Sequence, residues 1–283
     1  MGQKIAVAII HGIGRTEPDF ADGLMKDLRR QFTAEGADAP DLVMKPVYWS
    51  PVLQGGEDEL WRRVKRGGPM DFTRLRRFML DFAADAIAYQ PLPREKKVYE
   101  AIHRVVAQTF RALAREAGPK APLCVIAHSL GTVVASNYLY DLQTAPRKDI
   151  LPKTVKKEME KTPLEKGETL AFLYTLGSPI ALWSLRYTDF GRPVRVPAPG
   201  LKRHWRKLSG EWVNFYDEDD VIGYPLKTVN AAYGKAVTRD RAVSVGGVFT
   251  GWTPLSHTDY WTDGSVTGLV AKSLAKAWKK LNF

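Results

Sequence analysis

Residues 122–134 read PLCVIAHSLGTVV, and the change of character at Ser129 decides the fold. Pro122–Ala127 is a short apolar run, the form taken by a strand buried on both faces of a parallel sheet. Thr132–Tyr140 then reads as a helix. Ala127-His128-Ser129-Leu130-Gly131 lies between them. A strand that turns abruptly into a helix places a serine at the tip of a strained turn, and the crowded backbone there accepts only small residues two positions to either side. Gly131 meets that need, and Ala127 stands where the pattern usually has glycine. The serine of such a turn points away from the sheet over the helix N-terminus, and the Leu130 N–H becomes a donor to an oxyanion. A helix-capping serine produces many similar five-residue matches. The strand before and the helix after are what favour a nucleophile here.

Similar apolar runs lie on either side. Lys4–Ile10 (KIAVAII) ends at a glycine turn. Leu42–Trp49 reads as a strand closed by Ser50-Pro51, and Glu211–Tyr216 (EWVNFY) as another. Leu170–Leu176 (LAFLYTL) is closed by Gly177-Ser178-Pro179, a turn suited to shaping the floor of a site. Arg241–Phe249 is β-rich and reads as a hairpin. Helical spacing fills the gaps. Phe20–Phe32 precedes Gly36, and Val98, Ile102, Val105 and Leu113 share one stripe of a helix stopped at Gly118-Pro119. Val266, Leu269, Val270, Leu274 and Leu281 mark a terminal helix. Strands alternating with helices predict an α/β fold, a mostly parallel sheet with helices on both faces. Without a repeat or linker, we expect one domain over residues 1–283 with insertions near 54–90, 147–167 and 182–210, any of which would serve as a lid. The first is helical in pieces broken at Gly67-Gly68-Pro69 and Pro91. The second, rich in Lys, Glu and Pro, reads as an exposed excursion.

A serine hydroxyl needs a base to act at neutral pH. In this kind of fold the nucleophile is followed by an acid and then by a histidine on a late loop. Of the five histidines, His257, in Ser256-His257-Thr258-Asp259-Tyr260-Trp261, meets that order well. His103 falls mid-helix upstream and reads as a surface residue, His204 reads as solvated in a basic loop (LKRHWRK), and His11 and His128 belong to turns. The acid lies between serine and histidine. Asp217-Glu218-Asp219-Asp220 follows EWVNFY and offers four carboxylates. One of them accepts the second histidine N–H, fixing its tautomer and stabilising its charge. A solvated acidic loop accounts for the others. A divalent-cation site is the competing reading, although the glycine of a calcium loop is missing. His11-Gly12-Ile13-Gly14 directly follows the first strand, and the N–H of Ile13 or Gly12 is suited to join Leu130 as the second oxyanion donor. Phosphate-loop readings of that turn fail, because Gly14-Arg15-Thr16 lacks a lysine and Glu17 occupies the third small position of a dinucleotide fingerprint.

With 283 residues, 45% of them hydrophobic, the chain is long and apolar enough for a sizeable core. One cysteine, Cys124, allows no intrachain disulfide and suits a reducing compartment. The apolar run after Lys4 is too short for a signal peptide, and no stretch approaches the ~20 apolar residues of a membrane span. A soluble, cytoplasmic protein is expected. The net charge of +11 is spread over Arg62, Arg63, Lys65 and Arg66, over Arg74, Arg76 and Arg77, and around Lys153–Lys166 and Lys202–Lys207. No zinc-finger, basic-zipper or RNA-recognition pattern accompanies it, so no nucleic-acid partner is expected. The basic surface reads as solvated, or as attracted to anionic membrane or an acidic partner. Trp183, Trp205, Trp252 and Trp261 supply apolar bulk for an acyl pocket, or for core and rim.

With these residues in place the chain resembles the α/β-hydrolase superfamily, particularly its lipases and esterases, from Lys4 onward. Asp85–Tyr140 is similar in layout to the intracellular phospholipase A1 family that carries a DDHD domain: an Asp-Ala-Ile-Ala-Tyr segment, a long helix, then the nucleophile motif. In the acid region Asn214, Asp220, Tyr224 and Leu226 match that family's register, which selects Asp220. The Asp-x-Val of lipase acid loops keeps Asp219 as the alternative. Departures are Ala127 for glycine, Val221 for proline, and a shorter chain. The resemblance implies a serine esterase or lipase using Ser129, His257 and Asp220, with Ile13 and Leu130 N–H groups as the oxyanion hole and no metal or organic cofactor. Its substrate would be a small-molecule or lipid ester, a phospholipid in the DDHD subgroup. The alternatives are an acyltransferase with the same triad and a non-catalytic module that binds anionic membrane or a partner.

Overall fold

A computed structural model describes residues 2–13, 16–68, 70–90, 96–186, 190, 192–245, 257 and 260–283. Its strands are β1 (Ile5–Ile10), β2 (Leu42–Val47), β3 (Leu123–His128), β4 (Leu170–Leu176), β5 (Glu211–Tyr216) and β6 (Arg239–Ala242). All pair in parallel, in the order β2-β1-β3-β4-β5-β6. The main helices are α1 (Asp22–Ala34), α2 (Gln54–Arg66), α3 (Thr73–Ala88), α4 (Lys97–Ala117) and α5 (Leu130–Thr144). Short helices follow: α6 (Lys153–Lys156), α7 (Ile180–Trp183), α8 (Leu201–His204) and α9 (Ala231–Ala236). The chain closes with α10 (Gly264–Asn282), whose first N–H groups are capped by the Asp263 carboxylate.

Unbroken apolar strands need cover on both faces, and the pleat of β1 divides the core accordingly. Ala6, Ala8 and Ile10 pack in the layer built with α4 and α5. Ile5, Val7 and Ile9 pack in the layer built with α1 and α10, where Leu28, Phe32, Leu274 and Trp278 meet them. The expected α/β architecture is therefore present. No helix among the described residues is long and apolar enough to cross a membrane.

Four expectations change. The segment read as a hairpin instead opens with β6, a parallel strand registered from Val213↔Arg239 to Tyr216↔Ala242. A largely exposed edge strand needs no apolar run, so its first two residues, Arg239 and Asp240, fell outside the β-rich reading; residues 246–249 lie outside the described residues. The lysine-rich stretch after Arg147 is no loose excursion. Its Leu151, Val155 and Leu164 are buried, and Glu158 pairs with Arg104 and Arg111 of α4. His103 is not a surface residue. Flanking elements cover α4 so broadly that its ring is fully buried, with Nε2 2.9 Å from the Tyr89 hydroxyl. Burial pushes the pKa of His103 down to about 3 and that of its neighbour Asp141 up to about 6. His204 is likewise partly buried and bonds the Glu168 carboxylate at 2.9 Å.

Candidate active site

Because the sheet is parallel, β1, β3, β4 and β5 all release their loops at one edge. The chain moves from β1 to β2 on one side and crosses to β3 on the other, and at such a switch an open sheet offers a crevice at its carboxyl edge. Ile10 pairs with Ala127, so the turns that follow, His11–Ile13 and His128–Leu130, are neighbours.

Ser129 lies between β3 and α5 with φ 52° and ψ −130°. Such a left-handed conformation costs a non-glycine residue about 1–3 kcal/mol and persists only when its surroundings enforce it. Here the Ser129 N–H donates to the Leu176 carbonyl at 2.9 Å, and its own carbonyl accepts the Thr132 N–H at 2.9 Å and the Thr132 hydroxyl at 2.7 Å. The Ser129 hydroxyl is buried and has no hydrogen-bond partner among the described residues. A Cβ on Gly131 would lie 2.3 Å from the His11 carbonyl oxygen, and one on Gly12 would lie 2.6 Å from Ser129 Cβ. The loop that carries Ile13 therefore rests against Ser129, and Leu130 supplies the first residue of α5. Ala127 keeps its Cβ because it is an ordinary β3 residue paired with Ile10 and Thr175.

His11 fastens that loop. Its Nε2 accepts the N–H groups of Trp49 (3.0 Å) and Ser50 (3.2 Å), so Nδ1 carries the proton and donates to the Gly12 carbonyl at 2.9 Å. The ring stacks on Trp49 at 4.6 Å, and burial pushes its pKa down to about 3.

His257 and Asp220 are both buried, and His257 Nδ1 lies 2.8 Å from Asp220 Oδ2. Asp220 also accepts the Ile222 N–H and the Tyr260 hydroxyl, each at 2.9 Å. Burial by itself would raise the pKa of Asp220. The His257 hydrogen bond and charge, with the Ile222 and Tyr260 donors, outweigh burial and hold it at about 2. Asp219 and Glu218 are exposed. Asp217 is buried, but its carboxylate accepts the Asp219 N–H at 2.8 Å and the Val245 N–H at 2.6 Å. The geometry thus brings Asp220, not Asp219, to His257. Among the described residues no group of three His, Cys, Asp or Glu is placed to hold a metal.

Sequence reasoning missed two further residues. The Tyr260 hydroxyl accepts the Asp217 N–H at 2.7 Å while donating to Asp220, so it locks both ends of the acid loop. Its one signal was its place three residues after His257. His128 donates from Nε2 to the backbone carbonyl of His257, with the two rings 4.8 Å apart. Burial, reinforced by the charge of His257, lowers its pKa to about 3. Its signal was adjacency to Ser129. The turn after β4 forms part of the floor: a Cβ on Gly177 (φ 53°) would lie 2.9 Å from Asp220 Oδ2.

The tryptophans divide. Trp261 packs 5.3 Å from His128. Trp183 packs on the core from α7. Trp205 cannot line an acyl pocket, because its indole N–H donates to the Lys120 carbonyl, just before β3 at the opposite end of the sheet. Gly14, Trp252, Ser256, Thr258 and Asp259 lie outside the described residues.

Six parallel strands, helices on both faces and a serine turn after the strand beside the switch define an α/β-hydrolase type of fold. No family model matches the chain, and no curated protein matches its sequence. Among solved structures, a dienelactone hydrolase from Anabaena variabilis ATCC 29413 aligns with 100% of this chain and 88% of its own, at 10% identity and a TM-score of 0.43. The fold assignment rests on strand order and turn geometry, not on that likeness.

Proposed function

We propose that the protein is a serine hydrolase acting on carboxylic esters, with Ser129 as nucleophile, His257 as base and Asp220 as the acid. One observation carries the reading. The buried, unpartnered hydroxyl of a strained serine lies at the same sheet edge as a buried histidine–carboxylate hydrogen bond. Asp220 accepts the Nδ1–H, which fixes the neutral tautomer with its lone pair on Nε2. Nε2 takes the hydroxyl proton as Oγ bonds to the ester carbonyl carbon and the carbonyl electron pair moves onto oxygen. The N–H groups of Ile13 and Leu130 stabilise that oxyanion. Its collapse breaks the ester C–O bond, and the imidazolium returns the proton to the departing alcohol. Water, deprotonated by the same base, then attacks the acyl-enzyme and releases the carboxylic acid and Ser129. With its pKa near 2, Asp220 is ionised throughout and available to stabilise the imidazolium. Small-molecule and lipid esters both suit this chemistry. The DDHD-like layout makes a phospholipid the first lipid ester to try.

Ser129→Ala should abolish hydrolysis of p-nitrophenyl esters and labelling by a fluorophosphonate probe, with an unchanged circular dichroism spectrum. Full activity in that variant, or an unlabelled wild-type protein, overturns the proposal.

A further inference from the structure

Helix α3 buries two acids and exposes apolar side chains. Its inner side carries Asp81 and Asp85, both buried, and runs on to buried Tyr89. Its outer side carries Met79 at 48% exposure and Ile87 at 69%, and its N-cap Phe72 stands at 77%. With 3.6 residues per turn these three side chains fall within about 80° of one another around the axis. A surface helix ordinarily does the reverse. The neighbouring helix adds exposed Leu60 and Val64, one turn apart. Among the described residues Arg77 joins α2 to α3: it bonds Asp81 at 2.8 Å and Asp58 of α2 at 3.1 Å, with its guanidinium over the Trp61 ring. Phe72 also has φ 53°, a left-handed conformation that bulky residues seldom adopt. Its ring stands in solvent on a strained backbone.

The charge around this apolar face says what covers it. Between Leu60 and Leu80 the chain has seven Arg or Lys residues and one acid, Asp71, while Glu57, Asp58 and Glu59 lie just before them. Arg62 and Arg63 pair with Glu59 and Arg77 pairs with Asp58, which leaves exposed Lys65, Arg66 and Arg76 as the basic groups beside Phe72 at the tip of the hairpin. A second copy docked here would bring two such basic clusters together. An anionic surface with an apolar interior satisfies both features, since bilayers attract Arg and Lys to their headgroups and bury aromatic and aliphatic side chains just beneath.

We infer that the α2–α3 hairpin anchors the protein to anionic lipid bilayers through Phe72, Met79, Leu60 and Val64 within a ring of basic residues. The anchor does not depend on the catalytic reading. The test is co-sedimentation of the full chain with phosphatidylcholine vesicles, with and without phosphatidylglycerol, at low and high salt. Binding should require phosphatidylglycerol and weaken with salt. Arg66→Ala/Arg76→Ala should lower partitioning about 25-fold, roughly fivefold per charge. Phe72→Glu/Met79→Glu should lower it tenfold or more, by loss of inserted apolar area, on the order given for side-chain burial. Both variants should hydrolyse soluble esters at the wild-type rate, and Ser129→Ala should bind vesicles like the wild type. Equal binding to neutral vesicles, or variants that bind like the wild type, overturns the inference. So does a dimer abolished by Phe72→Glu/Met79→Glu in a protein that ignores vesicles.

Discussion

Lowering the pH from 7 to 5 should destabilise this fold by about 4 kcal/mol. His11, His103 and His128 are buried, and burial lowers each pKa to about 3. In the unfolded chain they titrate near 6.5. Between those values the unfolded state binds more protons than the folded one, so stability falls as pH falls. From pH 7 to pH 5, protonation of one unfolded histidine is worth about 2 kcal/mol, and three give about 6 kcal/mol. Asp141 opposes them. Its folded pKa, raised to about 6, lies above the unfolded value, so the folded state takes up its proton first and regains about 1–2 kcal/mol by pH 5. Asp81, also raised by burial, acts in the same direction. Asp220 contributes above the unfolded carboxylate pKa and loses that contribution only as pH falls toward 2, outside this window. The histidines win, and the net loss is a large part of the roughly 5–15 kcal/mol that holds a domain together. Urea unfolding followed by circular dichroism at pH 7, 6 and 5 measures it. His103→Gln should narrow the loss between pH 7 and 5 by about 2 kcal/mol, whatever it does to stability at pH 7. Flat stability across the range would refute the reasoning. An undiminished loss in His103→Gln would place a proton on folded His103, shared with the Asp141 oxygen 3.7 Å from its Nδ1.

Three further outcomes follow from the site. Gly131→Ala pushes a methyl group against the backbone oxygens of His11 and Ile10, so it should cost about 1–3 kcal/mol in thermal unfolding and suppress fluorophosphonate labelling. Asp220→Asn should lower kcat on p-nitrophenyl esters on the order of 10⁴-fold, whereas Asp219→Asn, at an exposed position, should stay within about twofold. His128→Ala should lower kcat about tenfold with KM unchanged, the scale of misplacing a general base, and His128→Gln should restore part of the rate by returning an N–H donor to the His257 carbonyl.

What could be read in advance followed the range of the interactions involved. The apolar runs of β1, β3, β4 and β5 declare themselves, since burial on both faces leaves no other composition open to them. The serine turn is equally local, because Gly131 answers to crowding within a few residues of Ser129 and at the adjoining end of β1. The start and the parallel pairing of β6 gave no signal, since an edge strand borrows its order from β5 and from Asp240, whose carboxylate accepts the N–H groups of Leu226 and Lys227. The choice between Asp219 and Asp220 was open for the same reason. Adjacent loop residues differ only in the direction they face, and that direction is set by distant groups: Tyr260, the Ile222 N–H, and the bare faces of Gly177 and Gly223.

The histidines sharpen this distinction. Sequence order alone favoured His257 as the base, with four rivals in the chain. His128, next to Ser129, is the rival that proximity would choose. Its Nε2–H is committed to the His257 carbonyl, and its Nδ1 faces the Gly12 turn. A base at pKa about 3 is also too weak to accept a serine proton efficiently near neutrality, where the best catalytic pKa lies close to the working pH. His11 is spent on Trp49, Ser50 and Gly12 and is equally depressed. His103 is enclosed against Tyr89 and Tyr99, and His204 is tied to Glu168. His257 differs in having a carboxylate on Nδ1 that is held ionised by donors of its own. That arrangement stabilises a positive ring, whereas the surroundings of His11, His103 and His128 oppose one. The same burial that makes those three rings acid-sensitive props therefore removes them as bases, so the catalytic reading and the predicted acid lability stand on one physical cause.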